Sequence, residues 1–117
     1  MRVRRGFDFE AAHVLPRHPG KCRNLHGHSY RLIVTLDRAV DRETGFGIDF
    51  SELKRIVRAE VIERLDHSSL NDVMENPTAE HIAQWIWNRL AGPLPGLTEI
   101  ELFETRNCSV VYRGERA

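Results

Sequence analysis

The sequence has little of several features that mark particular classes of protein. Its 117 residues include only 2 cysteines, too few for a disulfide framework, so free thiols are expected. It has no apolar run long enough to cross a membrane. Its 17 basic and 17 acidic residues balance, so charge gives no reason to expect nucleic acid or a membrane surface as a partner. Because the N-terminus leads into a strand pattern rather than an apolar signal segment, we expect a cytoplasmic protein.

Two segments alternate apolar and polar residues, which is typical of half-buried strands. Segment 3–13 ends its apolar face in His13, and segment 26–36 begins its apolar face with His26 and His28. Residues two apart in a strand point to the same face, so the imidazoles of His26 and His28 leave the same side of the sheet.

The rest of the chain predicts two helices and two further strands in one domain, residues 1–117. Asp49 and Glu52 form a capping-box pattern before an apolar stripe at helical spacing. Asn76 or Thr78 can cap the second helix. The predicted elements are strands 3–13, 26–36, 97–104 and 110–112, with one helix from about 50 to about 65 and another between 77 and 92.

This order, ββααββ, predicts an α+β fold in which two helices cover one face of a four-stranded antiparallel sheet. We expect large apolar side chains on the other face, which the helices cannot cover. A chain this small commonly buries such a surface by oligomerising, so symmetric assembly is expected.

Three histidines on apolar strand faces suggest a metal site. His13, His26 and His28 without an obvious fourth ligand are the set that binds catalytic zinc, with a position left for water or substrate. Structural histidines at sheet ends are the alternative. Cys22 lies four residues before His26, and its neighbours Lys21 and Arg23 would favour the thiolate.

Several motifs in one order resemble the 6-pyruvoyl-tetrahydropterin synthase superfamily. The resemblance covers almost the whole chain and implies the tunnelling fold (T-fold), a homohexamer built as a dimer of trimers, and active sites at subunit boundaries. It also implies zinc and the substrate 7,8-dihydroneopterin triphosphate. The motifs are Phe9-Glu10-Ala11-Ala12-His13, Cys22-x-x-x-His26-Gly27-His28, Gly45-Phe46-Gly47-Ile48-Asp49-Phe50, Leu65-Asp66-His67, Asn76-Pro77-Thr78-Ala79-Glu80 and Glu104-Thr105.

The three residues between Cys22 and His26 favour one branch, the 6-carboxy-5,6,7,8-tetrahydropterin synthases of the queuosine precursor pathway. That resemblance implies a lyase that eliminates triphosphate and releases acetaldehyde. One rival is the pyruvoyl-tetrahydropterin reaction, which stops after triphosphate loss and redox tautomerisation. Another is an oligomeric scaffold without chemistry, in which Cys22 completes a four-ligand structural zinc site.

The resemblance also implies roles for individual residues. His13, His26 and His28 match the zinc ligands, Cys22 the catalytic base, Asp66 and His67 a proton-transferring pair, and Glu104 with Thr105 the pterin-binding site. Arg17, Lys21 and Arg23 either receive the triphosphate or form a solvated basic loop. Thr78 and Glu80 are helix caps or pterin contacts, Cys108 is expected to be structural, and His18 and His81 are expected at the surface.

Overall fold

A computed structural model describes residues 1–115 of the chain. Two short 3-10 turns, Lys21–Arg23 and Leu70–Asp72, lie in its loops. The remaining elements are β1 (Arg2–His13), β2 (His26–Asp37), α1 (Phe50–Val57), a π-helical turn (Arg58–Ile62), α2 (Glu63–Leu65), β3 (Ser68–Ser69), α3 (Ala79–Leu90), β4 (Leu97–Thr105) and β5 (Cys108–Tyr112).

The strands form one sheet in the order β3-β1-β2-β4-β5. The predicted α+β fold and its four antiparallel strands are confirmed, but β3 adds a fifth strand that pairs parallel with Ala11 and Ala12 of β1. Its two serines are too short a run to show alternation. Sequence periodicity therefore could not reveal a strand that exists only because it docks on β1.

β1 and β2 pair without interruption, from Arg2 opposite Asp37 to His13 opposite His26. This register places the apolar residues of both strands on the face that the helices cover, as predicted. Phe9, Tyr30 and Leu32 are almost completely buried there. The same register carries the histidines of both strands to one end of the buried face.

The helix predicted from about 50 to about 65 contains a π-helical turn in its middle. Leu53, Val57, Val61 and Leu65 are fully buried and follow each other at intervals of four residues. A regular α-helix has 3.6 residues per turn, so such a stripe would drift around its surface. The π-helical turn takes up part of this drift and keeps the four side chains on the core side.

The capping prediction for α1 is half right. The side chain of Asp49 accepts a hydrogen bond from the Ser51 N–H at 2.8 Å. Glu52 does not reach back to the Asp49 backbone, because its carboxylate instead forms a bidentate ion pair with Arg55. An arginine one turn away offers a charged partner that competes with the neutral backbone N–H.

The helix-free face is more polar than predicted. Side-chain pairs cross its strands, among them Arg31 with Asp8 at 3.0 Å and Arg113 with Glu99 at 2.9 Å. The predicted large apolar side chains on this face are Ile33, Phe103 and Val111, which we call the apolar strip, and Glu101 lies between Ile33 and Val111. In the described part of the chain, no helix is long and apolar enough to cross a membrane.

Candidate metal centre and active site

The three predicted metal ligands meet at one end of the sheet. One ligand nitrogen from each of His13, His26 and His28 lies within 4.8 Å of the other two. His13 is fully buried at the end of β1, and the other two are half-buried at the start of β2. The convergence follows from the register, because His13 is directly opposite His26, and His28 is opposite Ala11, two positions before His13 on the same face.

Two backbone carbonyls determine which nitrogens of the cluster carry hydrogen. The Nδ1–H of His13 donates to the Pro77 carbonyl at 2.8 Å, and the Nδ1–H of His26 donates to the Asn24 carbonyl at 2.7 Å. A carbonyl can only accept, so Nδ1 is the protonated nitrogen in both neutral rings. Each Nε2 therefore presents a lone pair, as metal-binding histidines do when a second group orients them.

The arrangement of these lone pairs is suited to binding a cation. The Nε2 atoms of His13 and His26 face each other at 2.9 Å, an arrangement in which two lone pairs repel unless a proton or a metal ion lies between them. The Nε2 of His28 is buried without a hydrogen-bond partner among the described residues. Burial also lowers the pKa of His13, which favours the neutral, metal-binding form.

A tyrosine and a glutamate lie next to the cluster. The Tyr30 hydroxyl is 3.3 Å from His13 Nδ1, and burial raises its pKa, so it remains protonated. Glu104 Oε1 is 3.4 Å from His28 Nε2, outside hydrogen-bonding geometry, and this side chain is about a quarter exposed. Glu104 is thus a partly accessible carboxylate beside the three imidazoles. Thr105, the next residue, is exposed at the end of β4.

Asp66 and His67 lie at the outer edge of β1, beyond the end of α2. Asp66 Oδ2 is 3.1 Å from His67 Nδ1, and Asp66 Oδ1 accepts the Glu10 N–H at 2.9 Å. The Glu10 N–H is the main cause that lowers the pKa of Asp66, followed by the hydrogen bond with His67. The carboxylate therefore stays ionised and can orient the exposed imidazole of His67.

An open cleft connects the three-histidine cluster with the Asp66–His67 pair. It has a volume of about 500 Å³, and both His28 and His67 line it. Leu25 also contributes to its wall, although this side chain is 69% exposed. A ligand in the cleft could therefore touch one imidazole of the three-histidine cluster, the His67 imidazole and an apolar side chain at once.

Cys22 lies in the loop between β1 and β2. It is half-buried in the 3-10 turn Lys21–Arg23, where its carbonyl accepts the Leu15 N–H at 3.0 Å. Its sulfur does not belong to the cluster of three imidazoles. Within residues 1–115, no hydrogen bond connects Cys22 to His67.

The other candidates lie mostly at the surface. Arg17 Nη2 is 3.5 Å from Glu75 Oε1, and both side chains are exposed. Thr78 caps α3, because its Oγ1 accepts the His81 N–H at 3.2 Å. Three further residues are exposed: Glu80, His18 and Cys108, the last on the edge strand β5.

Sequence reasoning missed the residues that surround the ligands. Pro77 and Asn24 act through backbone carbonyls, which every residue possesses, so residue type gives no signal. Asn71 makes two hydrogen bonds to the backbone of Val14, next to His13. Its amide could have been noted as a polar residue in a loop, but nothing in the sequence indicates which backbone segment it contacts.

Two known proteins are similar to this chain over most of its length. The chain is 48% identical over 118 residues to the 6-carboxy-5,6,7,8-tetrahydropterin synthase of Synechocystis sp., with 94% of this chain and 91% of the relative covered. It is 42% identical over 102 residues to the 6-pyruvoyl tetrahydrobiopterin synthase of Dictyostelium discoideum, with 82% of this chain and 76% of the relative covered.

The fold has known counterparts too. The solved structure of Caenorhabditis elegans 6-pyruvoyl tetrahydropterin synthase superposes with a TM-score of 0.89 at 26% identity, covering 98% of this chain and 96% of the other. Residues 2–115 match the family described as 6-pyruvoyl tetrahydropterin synthase. With matching motifs, a matching fold and three converging imidazoles, the chain belongs to the 6-pyruvoyl tetrahydropterin synthase family.

Proposed function

We propose that the protein is a zinc-dependent lyase of the queuosine precursor pathway. It converts 7,8-dihydroneopterin triphosphate and water into 6-carboxy-5,6,7,8-tetrahydropterin, acetaldehyde and triphosphate. The observation that carries the proposal is the facing pair of Nε2 lone pairs on His13 and His26, with the unpartnered Nε2 of His28 beside them. The similarity to the Synechocystis protein supports the choice of reaction.

His13, His26 and His28 are the proposed zinc ligands. The Pro77 and Asn24 carbonyls fix the tautomers of two of them, so these rings need no proton loss before they bind metal. Three protein ligands leave a coordination position for a substrate oxygen. Bound zinc supplies Lewis-acid polarisation of that oxygen.

Cys22 and His67 are the proposed proton-transfer groups. Cys22 removes a proton from substrate carbon as a thiolate, and Asp66 orients the His67 imidazole that exchanges protons with the reacting side chain. Within residues 1–115 of one chain, no hydrogen bond joins Cys22 to His67. Because the family resemblance implies active sites at subunit boundaries, we infer that the two groups come together between copies.

Glu104 and Thr105 are the proposed pterin-binding residues. A pterin ring presents adjacent N–H donors, and a carboxylate accepts from two such donors at once. Glu104 is next to His28, so a ring bound to it would extend its side chain toward the three imidazoles. Arg17, Lys21 and Arg23, on the loop before β2, are the proposed triphosphate contacts.

We further propose a cytoplasmic homohexamer arranged as a dimer of trimers. β5 pairs only with β4, and β1 has an outer neighbour only at Ala11 and Ala12. Both edges of the sheet thus carry strand backbone that no other strand of residues 1–115 pairs with. The apolar strip of Ile33, Phe103 and Val111 provides a second surface for contact between copies.

Product analysis tests the reaction. The purified, metal-analysed protein is incubated with 7,8-dihydroneopterin triphosphate, and the products are identified by mass spectrometry. We expect a carboxylated tetrahydropterin and acetaldehyde. If only the diketone appears, the protein carries out the pyruvoyl reaction for which the Dictyostelium relative is named.

The scaffold alternative is tested with Cys22→Ala and His67→Ala. A scaffold predicts that chelation dissociates the oligomer, that neither variant affects any activity, and that a sulfur lies about 2.3 Å from the zinc by X-ray absorption. The lyase predicts that both variants still bind zinc and lose product formation. The absence of the Cys22 sulfur from the imidazole cluster favours the lyase.

A further inference from the structure

The segment from Asp66 to Asn71 lies along the outer edge of β1 and is attached to it at both ends. At its start, the Asp66 side chain accepts the Glu10 N–H, and the His67 N–H donates to the Glu10 carbonyl. In its middle, β3 pairs with β1. At its end, the segment contacts the first residue after β1, and it does so through a side chain rather than through its backbone.

That side chain is Asn71. Its Oδ1 accepts the Val14 N–H at 2.8 Å, and its Nδ2 donates to the Val14 carbonyl at 2.9 Å. A carboxamide carries a donor and an acceptor with the spacing of a peptide group, so Asn71 acts as one more residue of a neighbouring strand. It satisfies both backbone groups of the first residue after β1, which the sheet no longer pairs.

The Asn71 contact lies between the metal ligand and the thiol. Val14 follows His13 directly, and the next residue, Leu15, donates its N–H to the Cys22 carbonyl. The Asn71 amide therefore holds the backbone at Val14. On one side of Val14 is the buried imidazole of His13, and on the other side is Leu15, which is hydrogen-bonded to the turn that carries Cys22.

We propose that Asn71 is a positioning residue that sets the position of both His13 and Cys22. This inference rests on the proposed zinc site for its effect on metal affinity. Without the Asn71 amide, the Val14 backbone is free to move. His13 then loses its alignment with the Pro77 carbonyl and with the other two rings, and the Cys22 turn loosens. A role limited to general stability would change neither zinc affinity nor the reactivity of Cys22.

Asn71→Asp is the sharpest test because it keeps the size of the side chain. The carboxylate can still accept the Val14 N–H, but it faces the Val14 carbonyl with a second acceptor. We expect zinc affinity, measured by competition with a chromophoric chelator, to fall about ten-fold, as is usual when a residue that orients a ligand is altered. Asn71→Ala should weaken zinc binding to a similar extent.

The second readout needs no metal. Zinc-free protein is treated with iodoacetamide, and the modified cysteines are quantified by peptide mass spectrometry. Cys108 is exposed on β5 and serves as an internal reference for the reagent. We expect Asn71→Asp to raise the rate of Cys22 alkylation several-fold relative to that of Cys108.

Two control variants complete the design. Asn88→Asp makes the same chemical change at an exposed position of α3, and Ile86→Val removes one buried methylene from the core. Both should keep wild-type zinc affinity and wild-type Cys22 reactivity. The proposal is wrong if the Asn71 variants bind zinc within two-fold of wild type, or if Ile86→Val weakens binding equally. If wild type binds no zinc, the proposed metal centre fails, and the alkylation ratio alone still decides the role of Asn71.

Discussion

His67 combines a polar side chain with an unusual backbone conformation. Among residues 1–115, it is the one non-glycine residue with positive φ, at 57°. The left-handed region costs a side-chain-bearing residue about 1–2 kcal/mol. The hydrogen bonds of Asp66 and His67 to Glu10 maintain this conformation, which directs the imidazole into the cleft that His28 lines. Strain of this kind is common at functional sites.

Two replacements of His67 distinguish the energetic cost of its backbone conformation from the proposed role of its side chain. His67→Gly relieves the left-handed conformation, whereas His67→Ala retains it, so we expect the glycine variant to be more stable than the alanine variant by about 1 kcal/mol. Equilibrium urea unfolding at a fixed protein concentration measures the difference. Equal stabilities, or a more stable alanine variant, would show that the conformation is not strained. On the proposed mechanism, both variants lose product formation.

The sequence predicted the convergence of the three histidines better than it predicted their surroundings. His13, His26 and His28 could be assigned because strand alternation fixes the face of each residue, and the structure brings them together. The carbonyls of Pro77 and Asn24 could not be assigned. Backbone contacts depend on how distant segments pack, and the path of residues 66–78 around His13 has no periodic signal.

At the scale of elements, the first helix shows what an unusual periodicity means. Its four core residues are spaced by four throughout, and this strict spacing is the signal from which the π-helical turn could have been predicted. The turn has a tertiary partner as well. Arg89 of α3 donates to the Glu60 carbonyl at 3.2 Å and forms a 3.0 Å ion pair with the Glu60 side chain.

The start of α3 supports both the helix and the candidate site. The Thr78 side chain caps the helix, and the preceding carbonyl, that of Pro77, accepts from His13. Thr78→Ala should lower the free energy of unfolding by about 1 kcal/mol, because the His81 N–H loses its acceptor. Thr78→Ser keeps that acceptor and should remain close to wild type in urea unfolding. If the two variants unfold alike, the cap does not contribute measurably.

At the scale of the whole molecule, the sequence predicted the fold class but not the character of the helix-free face. Alternation identifies which residues face away from the helices. It does not show how their charges pair across strands, as Arg31 does with Asp8. β3 escaped prediction for a related reason, since its pairing depends on a segment more than fifty residues distant.

The apolar strip makes the assembly testable. Val111 is 49% exposed on β5, and Val40 is 45% exposed in the loop after β2. If the strip packs between copies, Val111→Lys replaces an apolar contact with a long charged side chain and should dissociate the oligomer, whereas Val40→Lys should not. Light scattering after size exclusion should give six times the 13.5 kDa chain mass for wild type and for Val40→Lys. A Val111→Lys protein of unchanged mass would exclude the strip from the interface.

The pairing of His13 with His26 has a consequence for the loop between them. These residues are the last of β1 and the first of β2, so residues 14–25 leave and rejoin the sheet at the two imidazoles. An ion bound to both would cross-link the two ends of this loop and reduce the number of conformations open to it. Cys22 lies inside the loop, so on the proposed mechanism demetallation would remove the Lewis acid and also widen the range of positions open to the thiol, although the hydrogen bonds at Val14 and Leu15 still hold the loop. The loss of one ion would thus affect both the proposed zinc centre and Cys22.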